Sequence, residues 1–559
     1  MKSLKHITIP SVLAATVLLV SACKENFLDV VPTDRVSDAS ILSDSILFEA
    51  YVTNRYLGTR LTEKEAEGTL PGFGRGFEYA MWSSVTDESI YNNDDNTWLI
   101  QRGQLAPENT GIAGTFWGRS YRSIREVNYA LANLAQVPMS EGRRAYLKGE
   151  LQFIRAFRYH DLIRNYGRVV LLGDKVTEIS DDLTSQDLFT RAEIKAGVDY
   201  VVAQLDEAIA QLPATNGGNW PLGRATKGAA MALKARMLLY GASPLYNAAT
   251  WQAAAAAAKA VMDLNQYSLY TGGYGTMFSG TTYNSEVIFG RLYAQGARHV
   301  CLEIANGPNS YNAWGGNVPL QNLVDAYEMA ATGLPITNAA SGYNAQDPYK
   351  GRDPRFYATI LYNDVAYRTS TVQTFTPGGK DSKDGPSNWN TSKTGYYLKK
   401  FMNDNLPIDN PWDIAGTQIW IYFRLGEVLL NYAEAQNEAV GPDASVYTAI
   451  NAIRQRAGMP ALPTGLTQVQ MRERIRNERR VELAFEEHRF YDVRRWKIAP
   501  QTENSPAYGI EITKTGTGYA YKTKEALTGR SFTDKQYWLP IPRAEIQASN
   551  NKLEQNPGY

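Results

Sequence analysis

The chain has 559 residues, 57 basic and 57 acidic side chains, four histidines and two cysteines. At about 150 residues per domain, that length admits three or four domains or one large helical one. A formal net charge of zero argues against nucleic-acid binding through bulk charge. Four histidines leave little for a His-rich metal site, and two cysteines cannot build a zinc cage or a disulfide framework. The excess is aromatic: 17 Phe, 11 Trp and 35 Tyr, 11% of the chain. Tyr and Trp join an apolar face to a polar edge, so they suit wet binding surfaces as well as cores.

Residues 1–22 read as a secretory signal. Lys2 and Lys5 give a basic start, and Val12 to Val20 is an apolar run too short for the roughly 20 residues a membrane span needs. It ends in Val20-Ser21-Ala22-Cys23, which resembles the lipobox of a bacterial lipoprotein. In that reading Cys23 is acylated and anchors the protein to a membrane without spanning it. Cys301 is then left without a partner and reads as a small buried residue. Residues 23–40 are polar and read as a tether.

Helical patterns follow. Leu147, Leu151, Ile154 and Phe157 share one helix face, as do Leu425, Val428, Leu429 and Tyr432. Ala253 to Ala258 is an uninterrupted alanine run, the best intrinsic helix former. The spacing predicts neighbouring helix pairs: 115–135 with 141–165, 186–212 with 225–242, 225–242 with 249–264, and 418–438 with 444–457. Small residues such as Ala230, Ala232, Ala433 and Ala435 let helices approach closely. These pairs look like degenerate tetratricopeptide units, whose nominal period is about 34 residues. Between about 268 and 418 the texture changes to Gly, Asn, Tyr, Ser and Thr, a loop-rich insertion in which binding surfaces usually sit. Stretches 66–114 and 501–536 share it.

The motifs along the chain resemble the SusD/RagB family of outer-membrane lipoproteins of Bacteroidota. They include Phe116-Trp117 with Asn128-Tyr129-Ala130-Leu131, Glu150 to Phe157 continuing to Asn165-Tyr166-Gly167-Arg168, and Arg424-Leu425-Gly426-Glu427 with Tyr432-Ala433-Glu434-Ala435. Asn451 to Gly458, Glu482 to Arg489, Asp492 to Trp496, Leu539 to Pro542 and Gln555 to Tyr559 complete the set. The resemblance implies a mainly α SusD-like fold, a single domain over 41–559 with helical scaffold at about 41–65, 115–266 and 418–500. It also implies a surface-exposed outer-membrane location and a SusC-like TonB-dependent β-barrel partner. On that partner the protein acts as a lid that captures an oligosaccharide or polysaccharide for import. Peptide or another nutrient is the alternative cargo.

Arg472 to Arg495 holds eight Arg and six acidic residues, and offsets such as Arg474–Glu478 and Arg479–Glu482 allow mutual pairing, so this run reads as an ion-pair scaffold. His160, His488, Trp117 and Trp496 lie in scaffold motifs. Ligand contacts are expected on aromatic loops, where sugar C–H faces stack on Trp and Tyr and hydroxyls meet Asp, Asn and Arg. One candidate loop runs from Tyr79 through Trp82, Asp87 and Asn92–Asn96 to Trp98; the other is Asn309 to Gly316, with Tyr311 and Trp314 at its tip. Arg368 and Tyr396 belong to the same insertion. A glycosidase would need facing carboxylates, for which Asp87-Glu88 and Asp94-Asp95 are the candidates. No G-x-S-x-G elbow, P-loop, H-E-x-x-H pair or dinucleotide fingerprint is present; Gly72-Phe73-Gly74-Arg75-Gly76 is followed by Phe77 where the last Gly belongs. The Asn92–Asn96 run resembles a calcium loop only loosely, lacking the Gly and distal Glu of an EF-hand. The chain is therefore expected to be a binding protein without catalytic residues, cofactor or metal.

Overall fold

A computed structural model describes residues 38–57, 77, 79–178, 180–294, 299, 302–406 and 416–559. Cys23, Cys301, the Gly72–Gly76 segment and residues 1–37 lie outside the described residues. Among the described residues, no helix is long and apolar enough to cross a membrane.

Helices α1 (Asp38–Ser43) and α2 (Ser45–Asn54) open the fold, so helix begins inside the stretch read as tether. The Asp44 carboxylate caps α2 by accepting from Ile46 N and Leu47 N. The scaffold continues through α3 (Phe116–Asn133), α4 (Glu141–Tyr166), α5 (Ile194–Gln211), α6 (Lys227–Ala242) and α7 (Trp251–Met262). Ser140, Thr226 and Thr250 cap α4, α6 and α7 with their hydroxyls. Each of these helices packs on the next, as tetratricopeptide-like pairs do. Gly149 lies against Leu212 and Ala208, and Gly197 against Ile163, contacts that a larger side chain would push apart.

After the long insertion come α8 (Leu425–Val440), α9 (Ala444–Arg456), α10 (Gln468–Glu482) and α11 (Arg489–Arg495), then a short C-terminal helix α12 (Arg543–Ala548). Thr467 and Gln470 form a capping box at the start of α10. Helix α8 packs on α7, α9 and α10, so the insertion interrupts a stack whose two halves are in direct contact.

Three further elements differ from the expected ones. The helix expected over 186–212 starts only at Ile194, with a single 3₁₀ turn at Gln186–Leu188. Trp420–Arg424 is a strand, not the first turn of α8; it pairs antiparallel with Val287–Arg291. Its continuous aromatic and β-branched run fits a nearly buried pleated segment, which helical spacing alone does not separate from a helix. The stretch 501–536 contains the longest hairpin, Ala507–Lys514 with Tyr519–Leu527, bulged between Glu525 and Leu527. We label the strands β1 (Ser89–Tyr91), β2 (Val287–Arg291), β3 (Asn317–Pro319), β4 (Trp420–Arg424), β5 (Ala507–Lys514) and β6 (Tyr519–Leu527).

A buried ionic belt ties the insertion to the scaffold. Arg424 binds Glu286 and Glu482 through Nη1 and Glu486 through Nη2, all at 2.7 Å. Arg355 binds Asp353 (2.7 Å), Glu478 (2.6 Å) and Glu482 (2.9 Å), and Arg454 binds Glu478 at 2.8 Å. The ion-pair role expected of Arg472–Arg495 is thus present, but with other partners. Arg474 reaches Glu328 (2.8 Å) instead of Glu478, and Arg479 reaches Asp492 (3.2 Å) instead of Glu482. The reason is burial: the charged side of α10 faces other elements, so its partners come from across the interface. His160 and His488 are buried here, and Trp117 and Trp496 are 4% and 5% exposed, as packing residues should be.

Candidate functional site

Three loops converge over β1 and β3. Strand β1 pairs antiparallel with β3 through Ile90 opposite Val318. The first loop leaves β1 at Tyr91. It turns through Asp94, Asp95 and Asn96 at φ of 70°, 46° and 61°, a left-handed conformation that Asn and Asp tolerate better than most residues. The Asp94 carboxylate accepts from Trp98 N at 2.9 Å and fixes the exit. The second loop, Asn309 to Gly316, enters β3 and is tied to the first by Asn92 N donating to Gly316 O at 2.7 Å. Gly316 is required by contact: a Cβ there would stand 2.5 Å from Ala305 O and 2.9 Å from Tyr91 Cε2. The third segment is 386–393. Asn309 Nδ2 donates to Pro386 O (2.8 Å), Asn92 Nδ2 donates to Thr391 O (3.0 Å), and Lys393 N donates to Asn92 Oδ1 (3.0 Å). Tyr397 donates its hydroxyl to Asn309 Oδ1 at 2.6 Å from below.

Three of the expected site residues reach this surface; a fourth, Arg368, is half-buried and spends its guanidinium on backbone oxygens. Trp314 is half-buried, its ring 5.7 Å from that of Tyr79. Tyr311 is half-buried; its hydroxyl donates to Tyr367 O (3.0 Å), and Lys380 Nζ lies 5.6 Å from its ring centroid. Trp98 is half-buried, donates Nε1 to Tyr91 O (3.1 Å), and has Lys393 and Arg102 at 4.4 and 5.1 Å from its ring. Those cations cover much of the Trp98 face, which leaves it a rim residue. Arg368 lies beside Tyr367 and donates Nη1 to Leu406 O at 2.6 Å.

The other three do not. Trp82 is 0% exposed, stacked 4.3 Å from Phe490, and its backbone N donates to Glu487 (2.7 Å). No ligand can reach it. Asp87 is buried between Arg480 (2.7 Å) and Arg489 (2.8 Å). Burial pushes its carboxyl up, but the two guanidinium groups outweigh that and hold it well below the usual carboxylate range. Tyr396 is 1% exposed and donates its hydroxyl to Gln321 Oε1 at 2.6 Å. These three are framework beneath the loops: their polar groups are matched within the fold or their rings are sealed in its core.

The most exposed aromatic of the site is one the sequence reading passed over. Trp389 is 71% exposed on a 3₁₀ turn, Asn388–Asn390, beside the Asn309–Gly316 loop; Ser387 Oγ donates to Asn312 Oδ1 at 3.2 Å. A signal was available. Pro386-Ser387-Asn388-Trp389-Asn390 sets one aromatic among turn formers with no apolar neighbour to bury it with. On the converging loops, Asn312, Asn388 and Asn96 expose amides that both donate and accept. Among the described residues, no group of three or more His, Cys, Asp or Glu side chains could hold a metal ion.

Residues 247–559 match the model of the SusD family, and residues 26–239 match a model described as starch-binding, associating with the outer membrane. The chain belongs to the SusD family. It is 23% identical over 532 residues to SusD-like protein P2 of Formosa agariphila, covering 86% of this chain and 90% of that one. A SusD-like protein of Bacteroides ovatus is 24% identical over 517 residues, covering 87% and 82%. Among solved structures, a SusD-like protein of Bacteroides fragilis superposes with a TM-score of 0.77 at 30% identity, covering 94% of this chain and 100% of its own. A SusD-like carbohydrate-binding protein of the same species gives 0.76 at 24% identity, covering 92% and 99%. A laminarin-binding SusD-like protein gives 0.64 at 23% identity, covering 92% and 100%. The mainly α SusD fold expected from the motifs is therefore the fold of this chain.

Proposed function

We propose that the protein is a glycan-binding lipoprotein of the outer-membrane surface, anchored through Cys23 and acting as the lid of a SusC-like TonB-dependent transporter. What carries this reading is the convergence of two loops, one with half-buried Trp314 and Tyr311 and the other with exposed Trp389, read as an aromatic shelf with exposed amides on the same loops. Flat apolar faces flanked by groups that donate and accept hydrogen bonds are what a pyranose ring, with C–H faces and equatorial hydroxyls, requires. The starch-binding description of the family model and the carbohydrate- and laminarin-binding relatives support the same ligand class. The protein binds its ligand without cleaving it: Asp87 and Glu88 are buried beneath the loops, and Asp94 is engaged in holding the turn. Titration calorimetry of the purified protein against starch, laminarin and other glycans, with product analysis of each mixture, tests this. Saturable binding with no shortened product is the expected outcome. Cleavage would overturn the non-enzymatic reading, and binding of peptides with no glycan bound would replace the ligand class.

A further inference from the structure

A cavity of about 340 Å³ shares no residue with the aromatic loops. Its walls include Trp117 and Tyr121 from α3, Leu172 after α4, Leu188 and Phe189 before α5, and Glu545 from α12. Trp117 and Tyr121 stand 5.0 Å apart at 52°. The Tyr121 hydroxyl is already engaged, donating to Val170 O (3.1 Å) and accepting from Val170 N (2.8 Å), so Tyr121 offers the cavity only its ring. Ser549, also in the lining, is engaged too: it donates to Ile546 O (2.6 Å) and accepts from Leu553 N (3.0 Å).

Glu545 is the one acidic or basic side chain in that lining. It is half-buried, and among the described residues its carboxylate has neither hydrogen bond nor ion pair; Arg543, the cation on its own helix, is committed elsewhere. Arg543 binds Glu108. Burial alone raises the pKa of Glu545, as it must for a carboxylate with no counter-charge. Elsewhere in this protein, buried carboxylates such as Glu434 and Glu482 sit against arginines. A partly desolvated carboxylate facing an aromatic, apolar cavity is complementary to a cation on an apolar body.

We propose that this cavity binds a small organic amine, its ammonium on Glu545 and its apolar part among Trp117, Tyr121 and Phe189. The site is independent of the glycan shelf and does not rest on that reading. The test is titration of the purified protein with 2-phenylethylamine, followed by calorimetry and by tryptophan fluorescence. The isosteric neutral 2-phenylethanol and the anionic 3-phenylpropionate serve as comparison ligands. Glu545→Gln removes the charge at nearly constant shape, and Leu188→Arg supplies an internal cation to the cavity. Expected are saturable binding of the amine, at least tenfold weaker binding of the alcohol and the acid, and at least tenfold weaker amine binding in either variant, with a melting temperature for Glu545→Gln no lower than that of the wild type. Equal binding of alcohol and amine, undiminished binding in Glu545→Gln, or no saturable binding at millimolar amine would overturn the proposal.

Discussion

Trp389 and Trp82 carry the same side chain into opposite surroundings, and their substitutions should separate cleanly. Trp389→Ala removes an exposed ring from the proposed shelf. We expect glycan affinity to fall by about 1–3 kcal/mol, as for hot-spot aromatics, with the melting temperature unchanged. Trp82→Ala removes a ring packed against Phe490 and Phe116 and should cost about 3–5 kcal/mol of stability, read by chemical denaturation. Glu88 makes a sharper residue-scale test. It is 1% exposed and, among the described residues, its Oε2 has no hydrogen-bond partner. Burial, aided by Asp87 and opposed by Arg489 and Arg480, pushes its carboxyl up to about 7. A raised carboxylate pKa means the folded state holds a proton that the unfolded chain has released, so this group's contribution declines as pH rises from about 4.5 to about 7. Glu88→Gln should therefore raise stability at pH 8 relative to wild type and change it little at pH 4. Equal effects at both pH values would contradict the assignment.

At the scale of elements, the site depends on how tightly its loops are stitched. Gly316→Ala forces a Cβ against Ala305 O and the Tyr91 ring, and so drives the Trp314 loop off the first one. We expect glycan binding to weaken at least tenfold in titration while the far-ultraviolet spectrum stays helical, because the helical stack lies elsewhere. Helix periodicity made that stack legible: the faces containing Leu151, Val428 and Ile453 are the buried ones. The two longest strand pairings were less legible. In β4 an unbroken run, Trp420 to Phe423, carries no period that excludes a helix. In β5 the alternation Ile510, Ile512 against Glu511, Thr513 was present but short and flanked by Gly and Pro. Within the site, residue type pointed to the right loops and missed burial. Trp82 and Asp87 have the chemistry of ligand contacts, yet which side of β1 faces solvent is decided by α10 and α11, far along the chain.

For the whole molecule, the ionic belt sets the acid limit. Arg495 and Arg479, outweighing burial, lower the Glu434 carboxyl to about 2, and Glu486 is lowered in the same way by Arg424 and Lys400. Depressed folded values contribute stability above about pH 4.5 that is lost as pH falls through 4.5 toward 2. His160 and His488, held neutral by burial, add to the loss, since their unfolded forms take up protons first. The melting temperature should therefore drop steeply between pH 4.5 and 2.5; a flat profile there would show that the belt's carboxylates are not what holds the stack and the insertion together. The interruption between α7 and α8 has a consequence for how this chain assembles. Helices α3 to α7 each pack on their neighbours in the chain, but α4 also needs β2 and β4, since Phe153 meets Phe289 and Phe157 meets Tyr422 and Phe423. The exposed flank of α7 must wait for α8, which lies roughly 160 residues further on, and closing a loop of that length costs about 4–5 kcal/mol of chain entropy. The pairing of β2 with β4 and the Arg424–Glu286 contact draw the ends of that loop together just before α8 begins. A clasp of two five-residue strands thus shortens the loop that α8 must close, and the binding loops at 309–316 and 386–393 both lie within the segment that clasp ties off.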